Sequence, residues 1–215
     1  ASTETMESHF AIASGQLLEL APQTYVNCAP NPQHCGGTGG CEGSIPELAF
    51  NFTAAHGIAL EVDLPYRGRD HACNKYVPAV TCGGYSKLPA NDATALETAL
   101  ATVGPLAVNV AAMPWEIYGG GIFDGGCGAG KSCDLDHVVQ AVGYAKDYWI
   151  VRNSWGTGWG EDGYIRLTRA NDGVTYEDKR PADGVACEPF PQVQHVGGES
   201  GVLFDMSYPT GVKKA

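Results

Sequence analysis

Two segments in the second half of the chain carry side chains that could act together on a substrate. In DLDHVVQAVGY, His137 follows Asp136 at the start of an apolar stretch, and VRNSWGTGWGEDGYIRL contains Asn153, Trp155 and Trp159. An imidazole exchanges protons near neutral pH, and a neighbouring polar group can orient it. A lone histidine beside valines is more often structural, and an asparagine before a turn usually only forms the turn. Only the combination of these residues favours a catalytic role.

The first half of the chain has the apolar spacing of helices. Met6 and Phe10 share one face of a helix that Gly15 can end. Ser44 and Glu47 have the spacing of a capping box, which predicts the start of a second helix.

The pattern changes to strands after a third helix, which is predicted from Asn91 as its cap to Gly104. The segments PLAVNV, HVVQAVGY, DYWIVRNS and GYIRLTR all have the composition of strands. The polar stretch 87–91 is therefore the best linker between a helical lobe and a β-rich lobe, and the cleft between such lobes is a favoured place for a site.

Composition limits the classes of partner. The formal net charge of −11 over 215 residues disfavours nucleic acid and anionic membranes, which both require a basic surface. Eight cysteines and the sequon at Asn51 favour an oxidising, secretory environment over the cytosol.

Two further motifs match ligand-binding patterns only superficially. GGCGAGKS, residues 125–132, satisfies the phosphate-binding pattern G-x-x-x-x-G-K-S, but a strand is predicted after it where that site needs a helix. Cys127 and Cys133 bracket this loop, which suggests a surface turn tied by a disulfide. CAPNPQHCGGTGGC lacks the paired ligand spacing of a zinc site, so disulfides account for it better than a metal, and no metal is expected.

Taken together, the motifs closely resemble those of the papain-like cysteine peptidases, the family of papain and the cathepsins. The matching segments are, in chain order, GGCEGSIPELAF, DLPYRG, GGGIFDGGC, the Asp-His pair before VGY, NSWGTGWGEDGYIR and GVLFDMSYPTG. The resemblance implies an α+β, two-lobed fold with a helical left lobe, residues 1–88, and a β-barrel-like right lobe, residues 89–215, whose C-terminal segment returns toward the left lobe. It also implies an active-site cleft between the lobes.

The resemblance further implies that ASTETMESHF continues the central helix of the family, whose nucleophilic cysteine would lie about four places before Ala1. The left lobe would then be incomplete at its N-terminus, and this chain alone would be inactive. His137 would form an ion pair with the thiolate and transfer protons, while Asn153 would orient the imidazole. Asp136, Trp155 and Trp159 would support the site. No cofactor is implied.

Substrate contacts follow from the same resemblance. Gly43 and Ser44 match the edge that pairs with an extended peptide, although Ser44 stands where the family has a second glycine. Five residues match the pocket for the side chain two positions before the cut: Ile45, Pro46, Asn109, Val138 and Asp205. Asp205 at its floor could accept an arginine, or it could instead turn to solvent or pair with a backbone amide. Trp159 matches a tryptophan of the family that lines the leaving-group side of the cleft.

The resemblance implies a disulfide between Cys28 and Cys73. It also implies a disulfide from Cys41 to a cysteine in the missing N-terminal fragment. Cys127 with Cys187 is the preferred third pair, because Ser200 occupies the usual partner position. Cys35 with Cys82 is a further candidate, and Cys133 would stay free or compete for Cys187.

Three functions from different classes fit the sequence. The first is a cysteine endopeptidase acting on peptides or proteins, with a propeptide or protein inhibitor as a further partner and a lysosomal, vacuolar or extracellular location. The second is a papain-fold binding or structural protein without catalysis, and the third is a nucleotide-binding module.

Overall fold

The computed structural model describes residues 1–128, 132–169 and 173–215. The helices are α1 Ser2–Ser14, α2 Pro22–Cys28, α3 Pro46–His56, α4 Ala93–Thr102 and α5 Pro181–Gly184. The strands are β1 Val80–Thr81, β2 Gly84–Lys87, β3 Leu106–Val110, β4 Ile122–Phe123, β5 His137–Tyr144, β6 Tyr148–Arg152, β7 Tyr164–Thr168, β8 Thr175–Asp178, β9 Gln194–Gly197, β10 Met206–Thr210 and β11 Lys213–Lys214. Short 3-10 helices occupy Gly40–Glu42, Met113–Ile117 and Glu199–Gly201.

The predicted helices exist, but two of their starts differ from the prediction. Helix α1 ends at Gly15, whose φ of 73° is the left-handed conformation that favours glycine. Helix α3 begins at Pro46 after an extended Ile45 and has no side-chain cap, so the predicted capping box is wrong. The proline ring fixes φ at a helical value, and proline has no N–H that would need a cap. Pro46 can therefore begin the helix without a capping side chain. Asp92, rather than Asn91, caps α4 by accepting the Ala95 N–H at 2.9 Å.

The four predicted strands are confirmed as β3, β5, β6 and β7, and they form the middle of a seven-stranded sheet. The strand order is β2-β10-β3-β5-β6-β7-β4. Among the described residues β2 and β4 are the edges, so the sheet is open. The expected α+β fold is confirmed, while the barrel-like lobe is an open sheet. Strand β2 belongs to this sheet although it precedes residue 89, and β11 pairs with β1. The lobe boundary at residue 88 stays a prediction.

Two large apolar cores lie on opposite faces of β3, whose alternate residues contribute to one or the other. One packs α4 and the sheet around the fully buried Trp115 and Trp149. The other packs the apolar face of α1, through Met6 and Phe10, against Phe50 of α3. Burial of these large side chains supplies much of the driving force for folding.

The polar face of α1 is hydrogen-bonded to the sheet. Gln140 of β5 donates to the Ser8 hydroxyl at 3.0 Å, and Arg152 of β6 pairs with Glu4 at 2.8 Å. Nε2 of His9 lies 2.8 Å from the Pro105 carbonyl oxygen. Helix α1 is therefore attached to both lobes, and its orientation relative to β5 is fixed.

The disulfides agree with the expectations only in part. Cys28 pairs with Cys73, as the resemblance implied. Cys127 pairs with Cys133, which matches the turn suggested by their spacing, and Cys35 pairs with Cys187. The pairings Cys127–Cys187 and Cys35–Cys82 are therefore wrong, because the segment carrying Cys187 lies against the loop of Cys35 and not against the loop of Cys127.

The phosphate-binding pattern falls partly on residues 129–131, which lie outside the described residues. From Ser132 onward the chain runs into β5 without a helix. Within the described ranges, no three potential metal ligands come together. None of the helices described has both the length and the apolar character that crossing a bilayer requires.

We expect Phe50→Ala to lower the free energy of unfolding of the protein by about 3–5 kcal/mol, because it leaves a cavity in a core where Phe50 is fully buried. Ile117→Ala is the control, since Ile117 is 94% exposed and its removal should change stability by less than about 0.5 kcal/mol. Urea denaturation measures both, and equal effects would contradict the packing described.

Candidate active site

His137 is the first residue of β5, and backbone pairing sets its position. It lies opposite Val110 of β3. The preceding Asp136 donates its N–H to the Val110 carbonyl at 3.0 Å, and its carboxylate accepts the Ala112 N–H at 2.8 Å. The position of the imidazole is therefore set by the start of β5, which these backbone hydrogen bonds hold against β3.

Asn153 follows β6, and its side chain reaches the His137 ring. Oδ1 of Asn153 lies 2.9 Å from Nε2 of His137 and accepts the Ser154 N–H at 2.8 Å. A backbone N–H can only donate, so the atom facing both partners is the amide oxygen, and Nε2 must carry the ring proton. Nδ1 of the neutral imidazole then has a free lone pair.

Three tryptophans connect this pair to the core. The Trp155 ring stacks on His137 with centroids 5.4 Å apart, and Trp159 meets Trp155 edge-on at 5.1 Å. Nε1 of Trp159 donates to the carbonyl of the fully buried Trp115 at 3.0 Å. The indoles therefore shield the His137–Asn153 hydrogen bond and hold it in place.

The surroundings favour a neutral imidazole when no anion faces it. Burial lowers the pKa of His137, while the hydrogen bond to Asn153 and the charge of Asp136 act in the opposite direction. Burial also raises the pKa of Asp136. A thiolate close to the ring would favour the imidazolium instead.

The two free cysteines in the described part of the chain are poor nucleophiles. Cys82 is buried, and burial raises the pKa of its thiol. Cys41 is exposed, and local desolvation and the Asp70 carboxylate raise the pKa of its thiol. A catalytic cysteine requires a lowered pKa, so neither thiol is suited to act as the nucleophile.

Predicted substrate-binding residues meet at a cavity of about 150 Å³ between the start of α1, the start of α3 and β5. Four of them line it: Ser44, Ile45, Pro46 and Val138. The Ser44 hydroxyl is buried without a hydrogen-bond partner among the described residues. Gly43 lies on the adjacent edge, where its carbonyl accepts the Gly39 N–H at 2.8 Å.

Asn109 and Asp205 are not among the residues that line this cavity, and each is only 1% exposed. Nδ2 of Asn109 donates to Oδ2 of Asp205 at 2.6 Å, and the Lys87 ammonium forms an ion pair with Oδ1. Asp205 thus has an internal cation and neither turns to solvent nor pairs only with a backbone amide. Its role in substrate binding stays a prediction.

Lys87 also pairs with Glu47 of α3 at 3.0 Å. Burial and the nearby Asp205 carboxylate raise the pKa of Glu47 to about 6. Burial opposes the charge of Lys87, yet the Asp205 and Glu47 carboxylates together raise its pKa. The two carboxylates and one ammonium therefore form a coupled cluster beside the cavity.

Sequence reasoning missed Lys87 and Gln140. Lys87 was assigned to a polar linker, and its partners are 40 and 118 residues away along the chain, so no local pattern reveals the cluster. Gln140 interrupts an apolar strand, and that isolated polar residue is the one signal that could have indicated its contact with α1.

A second cavity, of about 300 Å³, opens beside the imidazole. Its lining comprises Ala112, Met113, Glu116, Asp136, His137 and Trp155. His137 therefore borders this second cavity, while Val138, the next residue of β5, borders the first.

Comparison with known proteins assigns the family. The sequence model of the papain family cysteine proteases matches residues 1–182. The chain therefore belongs to the papain family of cysteine proteases.

Individual relatives agree with this assignment. The chain is 40% identical over 207 residues to the cysteine proteinase COT44 of Brassica napus, and the alignment covers 92% of this chain and 54% of that protein. A Carica candamarcensis cysteine protease, solved in complex with E-64, has a TM-score of 0.75 and 33% identity, covering 98% of this chain and 85% of the other. The ragweed cysteine protease Amb a 11, solved in its proform, has a TM-score of 0.75 and 28% identity, covering 98% and 57%. This chain spans about half the length of the curated relatives it matches.

We expect His137 to be the Nε2–H tautomer at pH 7 in an enzyme whose expected upstream cysteine is changed to alanine. Nitrogen-15 NMR of the imidazole distinguishes the two tautomers directly. Asn153→Ala should remove this preference, because it deletes the only acceptor that fixes Nε2–H among the described residues. A dominant Nδ1–H signal in the parent enzyme would contradict the hydrogen-bond assignment.

Proposed function

We propose that the chain is the core of a cysteine endopeptidase that hydrolyses peptide bonds through a thioester acyl-enzyme. The observation that carries this proposal is the Nε2–H hydrogen bond from His137 to Asn153, stacked beneath Trp155. It leaves Nδ1 as the basic atom available to a thiol. Family membership supports the same reaction class.

The nucleophile is proposed to be a cysteine about four residues before Ala1, at the N-terminal end of the helix that continues as α1. A helix N-terminus and a neighbouring imidazolium both lower the pKa of a thiol. The high pKa values of Cys41 and Cys82 support a nucleophile outside residues 1–215. Cys41 is exposed and free, as expected if it bonds to that preceding segment.

The reaction proceeds in two acyl transfers. The thiolate attacks the scissile carbonyl carbon, and His137 donates its Nδ1 proton to the leaving amine as the C–N bond breaks. Neutral His137 then removes a proton from water, which attacks the thioester and releases the acid and the thiol. Asn153 holds the imidazole in the orientation that both transfers require.

The substrate is proposed to lie with its backbone along Gly43 and Ser44 and the side chain of its second residue before the cut in the 150 Å³ cavity. Ile45, Pro46 and Val138 favour an apolar side chain there. A propeptide or protein inhibitor is proposed to occupy the same cleft, and the three disulfides support a secretory, lysosomal, vacuolar or extracellular location. A non-catalytic protein would place no chemical demand on the His137–Asn153 geometry.

Replacement of the two proposed catalytic residues tests this function. His137→Ala should lower kcat by about 10³-fold or more, because it removes the proton carrier, while Asn153→Ala should cause a smaller loss. His195→Ala is the matched control, since His195 is exposed and lies outside the cleft lining. Equal losses for the two site variants, with matched falls in Tm, would indicate a structural histidine.

Lys87 is proposed to decide how the enzyme treats a substrate arginine at the second position before the cut. In Lys87→Met the Asp205 carboxylate loses its internal cation, and an arginine can take its place. The ratio of kcat/KM for Arg over Leu peptides at pH 7 should rise about tenfold, which corresponds to ~1.4 kcal/mol.

Two variants control this experiment. Lys146→Met should leave the ratio unchanged, because Lys146 is exposed. Adding Asp205→Ala to Lys87→Met should return the ratio toward the parent value. An unchanged ratio in Lys87→Met would mean that Asp205 does not contact the substrate side chain.

A further inference from the structure

Residues 179–193 connect β8 to β9 and cross from the right lobe to the left lobe. This segment, the strap, includes α5. Its base is fixed at the fully buried Asp178, whose carboxylate accepts the Arg180 N–H at 2.8 Å and the Gln194 side-chain amide at 2.7 Å. The Lys179 N–H also donates to Asp134 at 2.8 Å. The strap therefore leaves the right lobe from a rigid point.

The far end of the strap is attached to the left-lobe loop that contains Cys35. Cys187 forms the disulfide with Cys35. The Glu188 N–H donates to the Gln33 carbonyl at 2.8 Å, and the Gly36 N–H donates to the Ala186 carbonyl at 3.2 Å. One covalent bond and two backbone hydrogen bonds thus join the lobes at this point.

The middle of the strap fills the space between the two walls of the cleft. A Cβ on Gly36 would collide with the carbonyl oxygen of Gly184 in α5, and a Cβ on Gly184 would collide with Leu135. Leu135 immediately precedes Asp136 and His137. Gly36 also packs against Gly43, the proposed peptide-binding edge. A continuous line of close contacts, Gly43–Gly36–Gly184–Leu135, therefore runs from one wall to the other.

The position of these contacts relative to the proposed site decides which part of a substrate they would obstruct. They pass beside the cavity for the second residue before the cut, because Ile45, which lines that cavity, also approaches Gly36. The 300 Å³ cavity lies beside His137 and Trp155, and strap residues line neither that cavity nor the 150 Å³ cavity.

At the base of the strap, Arg180 and Asp183 line a smaller cavity with Met113 and Asp136. The middle of the strap is the part that reaches the proposed peptide-binding edge, through Gly36.

We propose that the strap closes the acyl-side end of the cleft, so that the enzyme hydrolyses peptides close to their N-terminus and accepts about two residues before the scissile bond. This inference rests on the proposed thioester hydrolysis at His137, and it narrows the proposed endopeptidase activity to bonds near the N-terminus of the substrate. Each cleavage adds water across one peptide bond and releases a short N-terminal fragment with a new carboxylate, together with the remaining peptide and its new amine. Extended chains would meet Gly184 and Gly36 where the third and fourth residues before the cut should lie.

A series of fluorogenic peptides with a constant sequence after the cut and two to six residues before it tests the proposal. For the mature enzyme we expect kcat/KM to fall at least tenfold between two and four preceding residues. Lengthening the same peptides after the cut should have little effect. This comparison needs no variant and therefore does not depend on a mutant that folds.

The double variant Cys35→Ser with Cys187→Ser releases the strap and should reduce the length dependence to less than threefold. Cys28→Ser with Cys73→Ser is the matched control, because it removes a disulfide within the left lobe and should retain the dependence. Equal hydrolysis of all lengths by the mature enzyme would overturn the strap proposal and leave the proposed function intact. No hydrolysis of any peptide would overturn both.

Discussion

The attachment of α1 to β5 is the constraint on which the candidate site depends. One face of α1 is buried in the left-lobe core through Met6 and Phe10, while Gln140 of β5 binds its other face at Ser8. The helix therefore cannot rotate or slide without losing either this apolar packing or the hydrogen bond to Gln140. Since β5 begins at His137, any group at the start of that helix has a defined distance to the imidazole.

The chemistry is further defined by the sheet that carries it. His137 is aligned by its pairing with β3, and Asn153 is aligned by the N–H that it donates to the Gly163 carbonyl at 3.0 Å. The amide oxygen of Asn153 is shared between His137 and Ser154, which selects one ring tautomer. Trp155 stacks on the His137 ring and partly shields that bond from water, which strengthens it. The Nε2–H tautomer of His137 is therefore selected by groups that the fold already holds in place.

Much of the fold and part of the site could be predicted from the sequence. Strands with strong period-two or apolar runs, such as β5 and β6, and the helix ending at Gly15 were identified because local chemistry determines them. The start of α3 was not, because Pro46 replaced a capping interaction that the Ser44–Glu47 spacing imitates. The Cys35–Cys187 bond and the Lys87 cluster depend on which distant segments meet, and neither leaves a local signal.

We propose that His137 activates a cysteine that precedes Ala1. Labelling the mature enzyme with an epoxysuccinyl peptide and mapping the adduct by mass spectrometry tests this most directly. We predict one adduct, on a cysteine about four residues before Ala1, which is lost in His137→Ala and absent from Cys41 and Cys82. An adduct on Cys41 or Cys82, or labelling that His137→Ala leaves unchanged, would contradict the claim.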